Sequence, residues 1–215
     1  MKKLNIIYED KEILVVNKPA KLLTVATDKE EIRTLYHEVR EYLHKKNQKV
    51  FVVHRLDKDT SGLVLFAKNP RLKEMLQNNW LRYTREYVAG VEGKLPKIKD
   101  TLRFYLQEDK THRVYVSNKG LSSVTEYEVL DTNSTQSLIK VRIKTGRKNQ
   151  IRASLAYIGN PIVGDKKYEA RINSLSRLGL HANRLVIKHP ITNKEMEFSC
   201  DAPTQFYLGF EKYKK

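Results

Sequence analysis

The sequence predicts an α+β fold, with a mixed, largely antiparallel central sheet and flanking helices, over a single domain spanning residues 1–215. Three observations predict it. Stretches with strand character and, in several, period-two alternation outnumber those with helical spacing. No repeat, low-complexity run or Pro/Gly/Ser linker divides the chain. A chain of 215 residues is long enough to bury roughly 70% of its unfolded surface around a real core.

The strand-like stretches fall at residues 6–8, 13–17, 50–53, 63–67, 84–91, 123–130, 137–144 and 184–188. Between them Ile32, Leu35, Val39, Tyr42 and Leu43 keep a helical stripe, and Pro70 opens a second helix whose apolar face is Leu72, Met75 and Leu76. A third helix carries Ile151, Leu155 and Ile158. It follows the turn Thr145-Gly146-Arg147 and stops at Gly159-Asn160-Pro161, a C-terminal glycine followed by proline.

Forty-one Lys and Arg stand against 25 Asp and Glu, a net charge of +16 that points to an anionic partner. The basic residues ride on structured segments with aromatics among them, as in Arg82-Tyr83-Thr84-Arg85-Glu86-Tyr87 and His112-Arg113-Val114-Tyr115, which favours nucleic acid over membrane. No apolar run approaches the roughly 20 residues that cross a bilayer, and the start shows no signal-peptide region. The single cysteine, Cys200, excludes an intramolecular disulfide and a cysteine-based zinc cluster. A soluble cytoplasmic monomer is expected.

Chemistry concentrates in residues 50–69, VFVVHRLDKDTSGLVLFAKN, where two apolar strand-like runs flank a loop holding His54, Arg55, Asp57 and Asp59. Gly62 and an Asp-Thr-Ser cluster already supply turn chemistry, so the extra charges ask for another explanation. Asp59, before Thr60-Ser61-Gly62, has the position of an Asx-turn residue that bonds its own backbone. Asp57 follows Leu56, an apolar anchor, beside Arg55 and His54, and is the better candidate for chemistry, although a lone Asp can equally cap a turn or pair with a neighbouring Arg. Read alone, Tyr87 is a core residue sharing a strand face with Ala89 and Val91, and Arg152 is a solvated helix residue. His54 lacks a second ligand at metal-binding spacing and His181 sits between Leu180 and Ala182, so both read as structural rather than metal-binding.

His54-Arg55-Leu56-Asp57 followed by Thr60-Ser61-Gly62 resembles the catalytic loop of the RluA-type RNA pseudouridine synthases. The resemblance runs on, in the family's order, through Asn17-Lys18-Pro19-Ala20, Arg85-Glu86-Tyr87, Val91-Glu92-Gly93, Thr145-Gly146-Arg147 with Gln150-Ile151-Arg152, residues 159–165 with Tyr168, Leu180-His181-Ala182 and His189-Pro190. It implies the pseudouridine synthase fold and a cofactor-free isomerase that breaks the glycosidic bond of a uridine in tRNA or large-subunit ribosomal RNA, turns the base and rejoins it through carbon. By position it gives Asp57 the essential carboxylate, Tyr87 the active-site tyrosine and Arg152 the arginine that pairs with the carboxylate. Asp57 would then act as nucleophile or as base toward the sugar. Arg55 would fill the stack left by a flipped base, and His54 and Arg147 are further candidates for substrate contact.

Some positions depart from the pattern. Asn149 and Ser154 replace histidines common in relatives, Lys148 stands beside Asn149, and Lys21 follows Pro19-Ala20 where glycine is usual, so a left-handed turn there would be strained or replaced. The catalytic motifs begin almost at once, so recognition is expected from the catalytic domain without the amino-terminal RNA-binding domain many relatives carry. Two other classes compete: a basic RNA-binding module without catalysis, and a metal-dependent nuclease using Asp57 and Asp59 as ligands.

Overall fold

The structure, a computed structural model, describes residues 4–26 and 34–213; Ile32 of the predicted helical stripe lies outside them. Among the described residues there are eleven strands and three α-helices, in the predicted α+β class. The chain forms two compact units, residues 1–83 with 182–200 and residues 84–181 with 201–215.

In the first unit β1 (Ile6–Glu9), β2 (Ile13–Lys18), β4 (Ser61–Ala67) and most of β10 (Leu180–Lys188) lie in that order, with β3 (Phe51–Val52) on β4 and β11 (Glu195–Ser199) on β10. The ladders β1–β2, β2–β4, β3–β4 and β10–β11 are antiparallel. β4 is buried at all seven positions, so it reads as a continuous apolar run and not as an alternation. Helix α1 (Leu35–His44) starts where the Thr34 hydroxyl accepts the His37 N–H, and it buries Leu35, Val39 and Leu43, spaced four apart on one face. Helix α2 (Pro70–Asn78) is started by Asn69, whose side chain accepts the Leu72 N–H, with Pro70 supplying a preset φ. Its Leu72 and Leu76 close over Ile13, Val15, Leu63, Leu65 and Ala67. Burying each leucine contributes about 1.5–3 kcal/mol.

Gly62 has φ +117°, and a Cβ there would stand 2.2 Å from the Ala182 carbonyl oxygen, so the start of β4 tolerates only glycine.

In the second unit the order is β5 (Thr84–Glu92), β9 (Gln136–Ile143), β8 (Leu121–Thr132), β6 (Lys99–Glu108), β7 (Val114–Ser117), all antiparallel. Helix α3 (Gln150–Tyr157) packs Ala153 and Ala156 against Leu106, Val114, Phe104 and Val116. It ends as the sequence predicts: Gly159, at φ +85°, donates to Ala156 O and Asn160 to Leu155 O, the paired bonds of a Schellman motif. Val88 and Leu138 pack with Ala202, Phe206 and Phe210.

All eight expected strands are present, although of 50–53 only Phe51 and Val52 are strand. β6, β7 and β11 were not expected. β6 reads KDTLRFYLQE and fully buries only Leu102 and Leu106, four residues apart, so its outward face of charged and polar side chains hides the strand.

Candidate active site

The loop 53–60 is held by side chains from elsewhere in the first unit. The Thr24 hydroxyl donates to Leu56 O at 2.8 Å and accepts the Leu56 N–H at 3.1 Å, the geometry of one rung of a sheet supplied by a side chain. The fully buried Lys18 ammonium donates to Leu22 O (2.7 Å), Pro19 O (3.0 Å) and Lys58 O (3.1 Å). An ammonium offers three N–H donors, and here each has a carbonyl. The residues on both sides of Asp57 are therefore pinned, and Thr60 N–H closes the turn onto Asp57 O at 3.2 Å.

Asp57 itself is half-buried, less deeply set than its strand-flanked position suggests; Arg55 and Asp59 are exposed. The Asx-turn expected of Asp59 gives way to a turn closed by main chain. His54 Nε2 accepts the Leu65 N–H at 3.0 Å, and its ring stacks on Trp80 with centroids 4.2 Å apart. Lys21 adopts the left-handed conformation, φ +64°, so the turn that glycine would make freely is kept at a cost of roughly 1–2 kcal/mol.

In the second unit Tyr87 is buried on β5 opposite Val141 of β9. Two residues before it, buried Arg85 donates to Ile143 O (3.2 Å), Lys144 O (3.1 Å) and Thr145 O (3.3 Å), and burial pulls its pKa down. Arg85 thus fixes the turn that leads into α3. The same turn is tied by Gln150, whose Oε1 accepts from the Thr145 hydroxyl (2.7 Å) and from Arg147 N–H (3.0 Å), while its Nε2 donates to Val124 O and Thr125 Oγ1, both 3.0 Å. Arg147 is exposed and donates to Ser122 O at 3.1 Å. These bonds fix the backbone of the turn before α3.

Arg152 is buried, contrary to the solvated position its helix pattern suggests. Its Nε and Nη2 donate in parallel to the two oxygens of Asp165, each at 2.7 Å, and Nη1 donates to Asn149 Oδ1 at 3.1 Å. Asn149 accepts φ +48° at the helix start, a conformation asparagine tolerates well. Asp165 comes immediately after Gly164, whose φ is +75° and whose Cβ, if present, would lie 2.2 Å from Arg177 O. Lys18 and Asp165 stand within the quoted motifs without a role, Asn149 stands out only as a departure from the family pattern, and no spacing in the sequence singles out Thr24.

Among the described residues one group of three could hold a cation, Asp10, Glu12 and His189, and it contains neither Asp57 nor Asp59. His189 Nδ1 accepts N–H groups from Ile191 and Thr192, at 3.3 and 3.1 Å, so the ring proton sits on Nε2, facing Asp10 Oδ2 at 3.2 Å. The other Asp10 oxygen accepts from Glu12 and Ile13 N–H. These groups satisfy one another and lock the β1–β2 turn.

The strand and helix pattern is that of an α+β protein, and the sequence assigns its class, an isomerase acting on RNA. Residues 12–157 match the sequence model described as RNA pseudouridylate synthase, and the chain belongs to that family. It is 36% identical over 199 residues to the uncharacterized RNA pseudouridine synthase YhcT of Bacillus subtilis, covering 89% of this chain and 66% of that protein. It is 31% identical to ribosomal large subunit pseudouridine synthase D of Salmonella typhimurium, over 93% of this chain and 67% of that one. The chain thus spans about two thirds of the length of these relatives. The solved structure of human RNA pseudouridylate synthase domain containing 1 superposes with a TM-score of 0.77 at 25% identity, covering 94% of this chain and 84% of that one.

Proposed function

We propose that this chain isomerises specific uridines to pseudouridine in a structured tRNA or large-subunit ribosomal RNA, with Asp57 carrying out the sugar chemistry and no cofactor. The observation that carries the reading is the clamp on residues 56–58: Thr24 and Lys18 hold the backbone on both sides of a half-buried carboxylate, the rigidity a reacting group needs. In the reaction the bond from the base nitrogen to ribose carbon 1′ breaks, the base turns, carbon 5 bonds to carbon 1′, the hydrogen on carbon 5 leaves as a proton, and the freed nitrogen takes up a proton. Tyr87 and Arg152 take the roles the family resemblance gives them, Arg55 stacks where the uridine was, and Arg147 contacts phosphate. The ribosomal target is supported by the name of the Salmonella relative. A net charge of +16 suits RNA. The whole chain acts as one catalytic domain in a cytoplasmic monomer, and its single thiol suits a reducing compartment. No helix among the described residues is long and apolar enough to cross a membrane.

The test measures tritium release from 5-tritiated uridine RNA beside filter binding of the same RNA. Asp57→Asn keeps the shape and removes the charge, so release falls by at least ~10³ while affinity changes little. Asp59→Asn, at an exposed position outside the clamp, is far milder. An active Asp57→Asn protein overturns the assignment. A wild type that binds its RNA without isomerising it returns the case to a binding module, and one whose activity is cleavage lost in chelator returns it to a nuclease.

A further inference from the structure

The carboxylate of Asp165 has no place in the chemistry proposed above, yet it is 1% exposed at its side chain and faces a guanidinium that is 9% exposed. Taking both charges out of water costs several kcal/mol, and a buried ion pair is commonly no more stabilising than apolar residues of the same volume. The neighbouring α3 positions Ala153 and Leu155 show that this helix can be packed with hydrocarbon alone. Fold stability is therefore a weak reason for the pair.

Orientation is a stronger one. A guanidinium has five N–H donors fixed in a plane. Asp165 takes Nε and Nη2 side-on, and Asn149 takes Nη1. The Tyr168 ring lies against the guanidinium carbon at 5.3 Å, and the Tyr168 hydroxyl is itself tied to Val114 O at 2.8 Å. Rotation about the end of the side chain is blocked on one edge and one face, so the plane of the guanidinium is set. Asp165 is equally fixed. Its carbonyl accepts from Tyr168 and Ala170 N–H, its own N–H donates to Ile162 O, and Gly164 makes the left-handed turn before it.

We infer that Asp165, assisted by Asn149, is a positioning residue that fixes the orientation of the Arg152 guanidinium for turnover, an inference that rests on the active-site role of Arg152 proposed above. Asp165 touches no substrate. It acts through Arg152, so its effect must disappear when Arg152 is gone.

The experiment compares wild type, Arg152→Ala, Asp165→Asn and the double variant as full chains, using 5-tritiated uridine RNA from a strain lacking this gene. Asp165→Asn is expected to lower kcat by about tenfold or more without raising KM, and the double variant is expected to be no slower than Arg152→Ala alone. A second variant, Asn149→Gly, keeps the left-handed backbone while deleting the Nη1 contact. Its expected loss is about three- to tenfold in kcat, absent in the Arg152→Ala background, and it decides the matter if Asp165→Asn does not fold. Wild-type turnover of Asp165→Asn, or losses that multiply in the double variant, overturn the inference while leaving the function intact. Wild-type turnover of both Arg152→Ala and Asp57→Asn would instead sink the proposed active site. A raised KM with unchanged kcat assigns Asp165 to RNA binding or to the fold and also overturns the inference.

Discussion

The Lys18 ammonium reaches the carbonyl of Lys58, forty residues along the chain, at 3.1 Å, and the same nitrogen holds Leu22 O and Pro19 O. One buried cation thus ties the left-handed turn at Lys21 to the loop that carries Asp57. Lys18→Met fills the same space but leaves three carbonyls without their donor, so stability falls by about 2–4 kcal/mol. Turnover should fall further than the folded fraction does. Urea unfolding and tritium release on the same preparation check this, and a Lys18→Met enzyme with normal turnover per folded molecule would show that the clamp does not serve catalysis.

Arg55 is exposed on the loop whose neighbouring residues are pinned. If it stacks in the space vacated by the flipped uridine, Arg55→Ala weakens reaction on a stem-loop by about 1–3 kcal/mol and matters less for an unpaired substrate. Rates on the two RNAs decide it. Equal losses on both would place Arg55 in the active site or the fold instead.

Glu9 links β1 to Tyr42 of α1 and to Lys68, just past the end of β4. Burial pushes its pKa up, but hydrogen bonds from Lys68, Tyr42 and Lys46 outweigh burial and hold the carboxyl at about 2, below the ordinary 4.5. A carboxyl depressed in the folded state adds stability that is fully present above its unfolded pKa and is lost as pH falls through the folded one. Stability should therefore decline between pH 4.5 and about 2 partly through Glu9. Circular dichroism during acid titration should show a shallower decline for Glu9→Gln; parallel curves would assign the acid sensitivity to other carboxyls.

Ser154 is fully buried in α3, and its hydroxyl has no hydrogen-bond partner among the described residues. An orphaned buried hydroxyl costs more than it contributes, and alanine is the better helix former. Ser154→Ala is expected to raise stability by about 1 kcal/mol, read as a later urea midpoint with unchanged slope. A destabilised variant would mean that the hydroxyl bonds water or substrate.

The sequence by itself determined the elements whose cause is local. Pro70 and Asn69 start α2, Gly159 and Pro161 stop α3, and the apolar runs on either side of residues 54–60 make β3 and β4. It also determined the family, because the motif residues keep their order whatever lies between them. Only the tertiary structure decided which partner each charged residue meets. Arg152 looks solvated in a helix pattern, yet it is buried against Asp165, thirteen positions on, and Asp57 is steadied by Lys18 and Thr24, which are more than thirty residues away in sequence. β6 and β7 emerge only once α3 covers one face of them, since their other face is as polar as a loop. Local propensity sets where a strand or helix begins and ends, whereas burial of a charge depends on a partner brought close by the fold, and nothing in the spacing of residues along the chain records that distance.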